Sequence, residues 1–124
     1  MKSTLQTVPV DLLRLDLENP RLYSRKFAGD LLVTDLQLEQ AIADEGESFM
    51  ALYKAILKVG VQDPIWVKKN SDGTYTVVEG NRRTTVLRRL IENEATPPDG
   101  VSFENVQAHV VDESVSELEI KLQK

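Results

Sequence analysis

Cysteine is absent from the chain, which removes a disulfide framework, a thiolate nucleophile and any cysteine-ligated zinc site. Histidine occurs once. His109 alternates with Ala108 and Val110 in a strand-like run and has no His or Cys partner nearby, so it reads as structural rather than as a ligand. No apolar run approaches the ~20 residues of a membrane span, and Met1-Lys2-Ser3-Thr4 lacks the apolar core of a signal peptide. A cytoplasmic chain without a membrane partner is the simple expectation. A surplus of cations is missing too. With 15 Lys and Arg against 20 Asp and Glu the net charge is −5, which argues against a whole-surface electrostatic grip on nucleic acid, because non-specific DNA affinity comes mostly from Lys and Arg displacing phosphate counterions. Internal repeats and low-complexity segments are likewise absent.

What is present is ordinary in bulk and unusual at one place. The 124 residues, 41% hydrophobic and 28% charged, suit a single soluble domain over residues 1–124, large enough to bury roughly two-thirds of the surface its unfolded form exposes. The chain stops in a helical pattern with no polar tail, as expected of the N-terminal piece of a longer protein. From Gly80 to Leu90 there are four arginines and no acid, whereas segments 30–47 and 112–119 are acid-rich. The basic charge is therefore focused, which suits a small polyanion better than a long duplex.

That focus coincides with a change of periodicity. Tyr75-Thr76-Val77-Val78-Glu79 alternates as a strand does, Gly80 interrupts, and Val86, Leu87, Leu90 and Ile91 then recur at helical spacing. Strand, tight turn and helix follow one another. Such a turn offers the unpaired N–H groups and positive dipole end of a helix to a ligand, and Arg82 and Arg83 add full charges at the same point. Cations at a helix N-terminus are disfavoured by the dipole by roughly 0.3–1 kcal/mol each, so two together point to an anion, with phosphate first in line. Thr84 and Thr85 suit either donation to phosphate oxygens or satisfaction of the helix's own first turn. Glu79 has three readings: a magnesium ligand, a general base, or a partner of Arg82, whose charge would depress its pKa and make it a poor base. Arg88 and Arg89, further along, read as an exposed face.

The rest of the chain supplies a scaffold. Residues 7–15 read as an opening strand or strand-turn that Pro9 places at a sheet edge. Asn19-Pro20 marks a loop over residues 16–22, in which Asp16 and Glu18 are either surface charges or oxygen ligands for a metal. Residues 31–43 carry Leu32, Leu36, Ala41 and Ile42 at near-helical spacing, and Ser48 is placed to cap a second helix whose apolar face holds Phe49, Leu52, Tyr53, Ile56 and Leu57 and which ends at Gly60. A strand over 65–69, the turn Asn70-Ser71-Asp72-Gly73 and a strand over 74–79 form a hairpin. In it Trp66 and Tyr75 read as packing residues. A surface loop over 95–104, a strand over 106–111 and a helix over 114–123 with the capping pattern Ser114-Val115-Ser116-Glu117 complete the chain.

In this order the segments resemble the ParB/sulfiredoxin-like superfamily, from about Val8 to the end. Val10-Asp11-Leu12 through Asn19-Pro20-Arg21 is similar to that family's opening motif ending in N-P-R. Ala55-Ile56 through Gly60 to Pro64-Ile65-Trp66-Val67 matches its helix–G–P-I-x-V segment. Gly80-Asn81-Arg82-Arg83 looks like its G-E-R-R box, and Ile120-Lys121-Leu122-Gln123-Lys124 falls on its E-N-L-Q-R helix. The resemblance implies an α+β fold, a small mixed β-sheet with helices packed around it. It also implies a nucleoside triphosphate as ligand, CTP favoured and Mg2+ an optional companion. On this reading Gly80, Asn81, Arg82, Arg83 and Thr84 form the phosphate box, Asn19 and Arg21 face the nucleotide, and Gln123 lies in the closing helix. Departures bear on chemistry: Ile120 and Lys121 stand where ParB has the Glu-Asn pair that holds magnesium, Asn81 stands where the box has glutamate, and sulfiredoxin chemistry needs a cysteine that this chain lacks.

The run from Glu79 to Leu87 is also similar to the D-G-x-Q-R-x-T-T-L box of DUF262 proteins, nucleotide-hydrolysing members of bacterial and phage-defence systems. Two functions are therefore expected to compete. One is a CTP-like nucleotide-binding domain of a ParB-like chromosome- or plasmid-partition or regulatory protein of bacteria, with DNA bound through a following domain and a homodimer as its assembly. The other is a metal-dependent nuclease, phosphotransferase or nucleoside triphosphatase on the same fold, with Glu79 and Glu18 as the catalytic carboxylates.

Overall fold

The computed structural model describes residues 3–16 and 35–111. Among these residues five strands and three helices follow one another: β1 (Ser3–Pro9), a 3-10 turn (Val10–Leu12), β2 (Leu13–Leu15), α1 (Asp35–Ala43), α2 (Glu47–Val59), β3 (Ile65–Lys69), β4 (Tyr75–Glu79), α3 (Asn81–Glu92) and β5 (Asn105–Val111). The sheet is mixed. Its order is β1-β5-β3-β4-β2, with β1–β5 and β3–β4 antiparallel and β3–β5 and β2–β4 parallel.

Local chemistry explains several of these elements. The β3–β4 hairpin closes through Asp72, whose Oδ1 accepts from the Thr74 main-chain N–H at 3.0 Å and its hydroxyl at 2.6 Å, while Gly73 supplies a φ of 89°. Side chains of this kind mimic a backbone turn and hold the register of the strands they join. The opening run differs from a single strand. Pro9 has no N–H to extend the ladder, and the chain turns at Val10–Leu12, where the Val10 N–H finds Glu104 O at 2.8 Å instead. As a result β1 and β2 lie at opposite edges of the sheet. Pro9 is at an edge as expected, but the strand that carries it begins at Ser3.

Helix α2 starts one residue before Ser48, with Gly46 at the N-cap and a φ of 72°. Ser48 is therefore inside the first turn and does not cap it. The core lies between the sheet and the helices: Leu13, Leu15, Ile65, Val67, Val77, Ala108 and Val110 meet Leu38 and Ile42 of α1, Phe49 and Ile56 of α2, and Val86, Leu87 and Leu90 of α3. Fully burying such a side chain contributes about 1.5–3 kcal/mol. Leu36 is 71% exposed and Leu57 and Ile91 also lie at the surface, so the buried helical stripes are narrower than the apolar ones in the sequence. Loop 95–104 departs from a purely surface loop, because Phe103 is buried in the core and Val101 lies against Gly60. On the opposite sheet face Val78 and Val111 pack with Trp66, whose ring stacks on His109 with centroids 4.4 Å apart. No helix among the described residues is long and apolar enough to cross a membrane.

Candidate anion site

Strand β4 runs into α3 through Gly80 alone, and two independent constraints require glycine there. Its φ of 115° is one that side chains rarely tolerate, and a Cβ would sit 2.4 Å from Ile65 Cγ2 and 2.8 Å from Ile65 Cβ. The turn is thus set by packing on β3, before any ligand is considered. Among the described residues, no side chain caps α3. The Gly80 carbonyl accepts from Thr84 N at 2.9 Å to close the first turn, which leaves the N–H groups of that turn without intrahelical acceptors.

A cavity of about 430 Å³ opens here, lined by Leu52, Asp63, Val78, Glu79, Gly80, Asn81, Arg82 and Arg83. Its two arginines are held differently. Arg83 Nη1 donates to Asp63 O at 2.6 Å and to Pro64 O at 3.5 Å, and Nη2 lies 3.4 Å from Glu79 Oε1. Main-chain carbonyls at the entrance to β3 thus fix the position of its guanidinium. Arg82 reaches the α1–α2 turn, where Nη2 donates to Ser48 Oγ at 2.5 Å and Nε lies 2.9 Å from Glu45 Oε1. Glu79 consequently pairs with Arg83, one helical turn on, and the expected Glu79–Arg82 pair does not form. Arg82 is engaged instead by Glu45 and Ser48 at the α1–α2 turn.

Other residues of the box turn inward. Asn81 is buried; its Oδ1 accepts from the Asp16 main-chain N–H at 3.0 Å and its Nδ2 donates to Val77 O at 3.3 Å. Its side chain is a brace between β2 and β4. Thr84 and Thr85 are fully buried and their hydroxyls donate to Gly80 O and Asn81 O, each at 2.9 Å. Both hydroxyls therefore bond back to carbonyls four residues earlier.

Arg88 corrects a second expectation. Rather than lying on an exposed face, it donates to Asp35, to Glu39 Oε1 at 3.0 Å and to Leu13 O at 2.9 Å. Burial pulls its pKa down, but the hydrogen bonds and charges of Asp35 and Glu39 outweigh that and hold it above the ordinary value. Asp35 also accepts from Leu15 N at 2.6 Å. Together Arg88, Asp35 and Asn81 grip three successive points of the chain from Leu13 to Asp16, beside the arginine turn. Arg89 lies 3.6 Å from Glu39 Oε2.

Among the described residues, no group of three or more His, Cys, Asp or Glu is gathered as a metal-binding cluster. Glu18, Asn19, Arg21, Gln123 and the helix expected over 114–123 lie outside the described residues. Sequence reasoning missed Glu45, Ser48 and Asp63 as neighbours of the arginines; Ser48 carried a capping signal for its own helix, and nothing beside any of the three pointed to an arginine of α3. It missed the Asp35–Glu39–Arg88 cluster as well.

Residues 30–122 match the family described as the ParB N-terminal domain. The structure is similar to that of the C-terminally truncated chromosome-partitioning protein ParB from Caulobacter crescentus, complexed with CTP-gamma-S, with a TM-score of 0.60 at 20% identity. That similarity covers 98% of this chain and 54% of the other, so this chain spans about half the length of the ParB chain it matches. Sulfiredoxin from Arabidopsis thaliana also matches, with a TM-score of 0.47 at 18% identity, over 96% of this chain and 94% of that one. No curated protein matches the sequence. The fold is the α+β ParB/sulfiredoxin-like one expected from the sequence motifs, and by the family match across most of its length the chain belongs to the ParB N-terminal domain family.

Proposed function

We propose that this domain binds a nucleoside triphosphate, CTP in the first place, with its phosphates at the first turn of α3. The observation that carries the reading is the convergence of Arg82, Arg83 and a helix N-terminus that no described side chain caps on one wall of a cavity of about 430 Å³. Helix dipole, N–H donors and two guanidinium groups all favour an anion there. Arg83, already held in place, would contact phosphate oxygens; Gly80 leaves the main chain open to close approach. Asn81 and Thr84 act as braces of the turn, through the bonds of their side chains to main-chain groups. The base preference is taken from family membership and from the CTP analogue bound by the Caulobacter ParB. Where Mg2+ accompanies the nucleotide, Glu79 and Asp63 are the acids on the cavity wall. DNA binding through a following domain, and nucleotide-linked dimerisation, are proposals for the longer protein.

Calorimetric titration of the chain with CTP, ATP and GTP in the presence of Mg2+ tests this. Saturable binding of CTP is expected, with a loss of at least tenfold in affinity for Arg83→Ala, since charge-assisted hydrogen bonds to such a group contribute ~1.5–3 kcal/mol. Absence of binding by all three nucleotides below millimolar concentration would refute it.

A further inference from the structure

The two arginines of the cavity differ in how firmly they are held, and the difference has a consequence for ligand binding. Arg83 is anchored by the main-chain carbonyls of Asp63 and Pro64, which cannot leave without moving the entrance to β3. Arg82 is tethered instead to side chains, those of Glu45 and Ser48. Its ion pair is also poorly aligned: Nε is buried and has Glu45 Oε1 at 2.9 Å, yet it makes no hydrogen bond of proper geometry among the described residues. An N–H group desolvated without an aligned acceptor is an unfavourable arrangement that a better-placed anion relieves.

Glu45 occupies the turn between α1 and α2, next to Gly46 with its φ of 72°. Its carboxylate lies where it can neutralise a cation that the α3 dipole disfavours. A polyphosphate brings more negative charge to the same cation, sits directly on the helix N-terminus and repels the nearby carboxylate. The two anions therefore compete for one guanidinium.

We propose that Glu45 is an internal counter-anion of this site, occupying Arg82 in the unliganded protein and exchanged for polyphosphate on binding. It sets the affinity of the site and couples occupancy to the α1–α2 turn. The inference rests on the phosphate reading of the arginine turn and adds to it a residue, Glu45, that acts through Arg82 rather than on the ligand.

Titration of the full chain with CTP and, separately, with inorganic tripolyphosphate at fixed pH and salt compares wild type with Glu45→Gln and with the surface control Glu92→Gln. Glu45→Gln is expected to tighten binding of both ligands by roughly fivefold, the scale of one partly exposed ion pair; Glu92→Gln is expected to leave it unchanged. Hydrogen exchange supplies a second readout: in wild type, ligand should speed exchange across residues 44–50, where the Arg82 tether ends. Equal or weaker binding by Glu45→Gln, while wild type binds, would overturn the inference and show that Glu45 orients Arg82 for the ligand. Failure of both proteins to bind either ligand would overturn the phosphate site itself, and this inference with it.

Discussion

Replacing Gly80 by alanine tests whether the arginine turn is set by packing. The φ of 115° is strained for any side chain, and conformations of this kind cost about 1–2 kcal/mol for a residue with a Cβ. The added methyl also meets Ile65 Cγ2 at 2.4 Å and Cβ at 2.8 Å. Both atoms belong to a fully buried side chain in the centre of the core, so β3 or the turn must shift, and overpacking of this sort costs roughly 1–3 kcal/mol more. A loss of about 2–5 kcal/mol is expected, a large share of the ~5–15 kcal/mol that stabilises a domain. Gly73→Ala provides the control, because Gly73 has a φ of 89° and a methyl added there would meet no atom within 4 Å; only the backbone contribution should appear. Urea unfolding followed by circular dichroism measures both. The double variant Gly80→Ala/Ile65→Ala removes the Cγ2 contact and should lose less than the sum of its parts. If Gly80→Ala is no more destabilising than Gly73→Ala, or if the double variant is simply additive, the close approach to Ile65 does not constrain the turn and the reasoning fails.

Three further outcomes follow from side-chain roles. Asn81→Ala should lower stability by about 1–3 kcal/mol, because it strips the buried Asp16 N–H of its acceptor; an unchanged urea midpoint would count against the brace. Arg88→Ala should cost about 2 kcal/mol, less than the ~3–5 of a fully buried pair because its side chain is 20% exposed, and a double variant with Asp35→Ala should lose less than the sum of the two single losses in the same assay. The hydrogen bond from the Thr74 hydroxyl holds the Asp72 carboxyl below its ordinary 3.8. Its folded pKa is depressed, so its contribution is full above 3.8 and fades as pH falls through the lower folded value. The stability difference between wild type and Asp72→Ala should therefore shrink in acid, and a difference that grows there would contradict the assigned cause.

Much of the site was legible because it is local. Alternation through Val77 and Glu79, a glycine, and then helical spacing through Val86, Leu87 and Leu90 describe a strand, a turn and a helix over fewer than about 20 residues. Arg82 and Arg83 sit in the first turn of that helix wherever the rest of the chain goes. The Asn70-Ser71-Asp72-Gly73 hairpin was equally plain, since its bonds to Thr74 span two residues. Less legible was which box side chains face outward. Asn81 and Thr84 have polar groups suited to a ligand, yet both sit on the face of α3 that packs on the sheet, and a one-residue change of angle on a helix separates that face from Arg82 and Arg83.

By itself, then, the sequence determined the strand, glycine turn and helix around the arginines, the hairpin before them and, through its ordered motifs, the family. These depend on periodicity, turn chemistry and charge acting over a few neighbouring residues. Tertiary structure alone decided what each charge meets: Arg82 with Ser48 at a separation of 34 residues, Arg88 with Leu13 at 75. It also sent β1 and β2 to opposite edges of the sheet. Such pairings follow from which faces pack together, and a partner tens of residues away leaves no periodic trace beside the residue it binds.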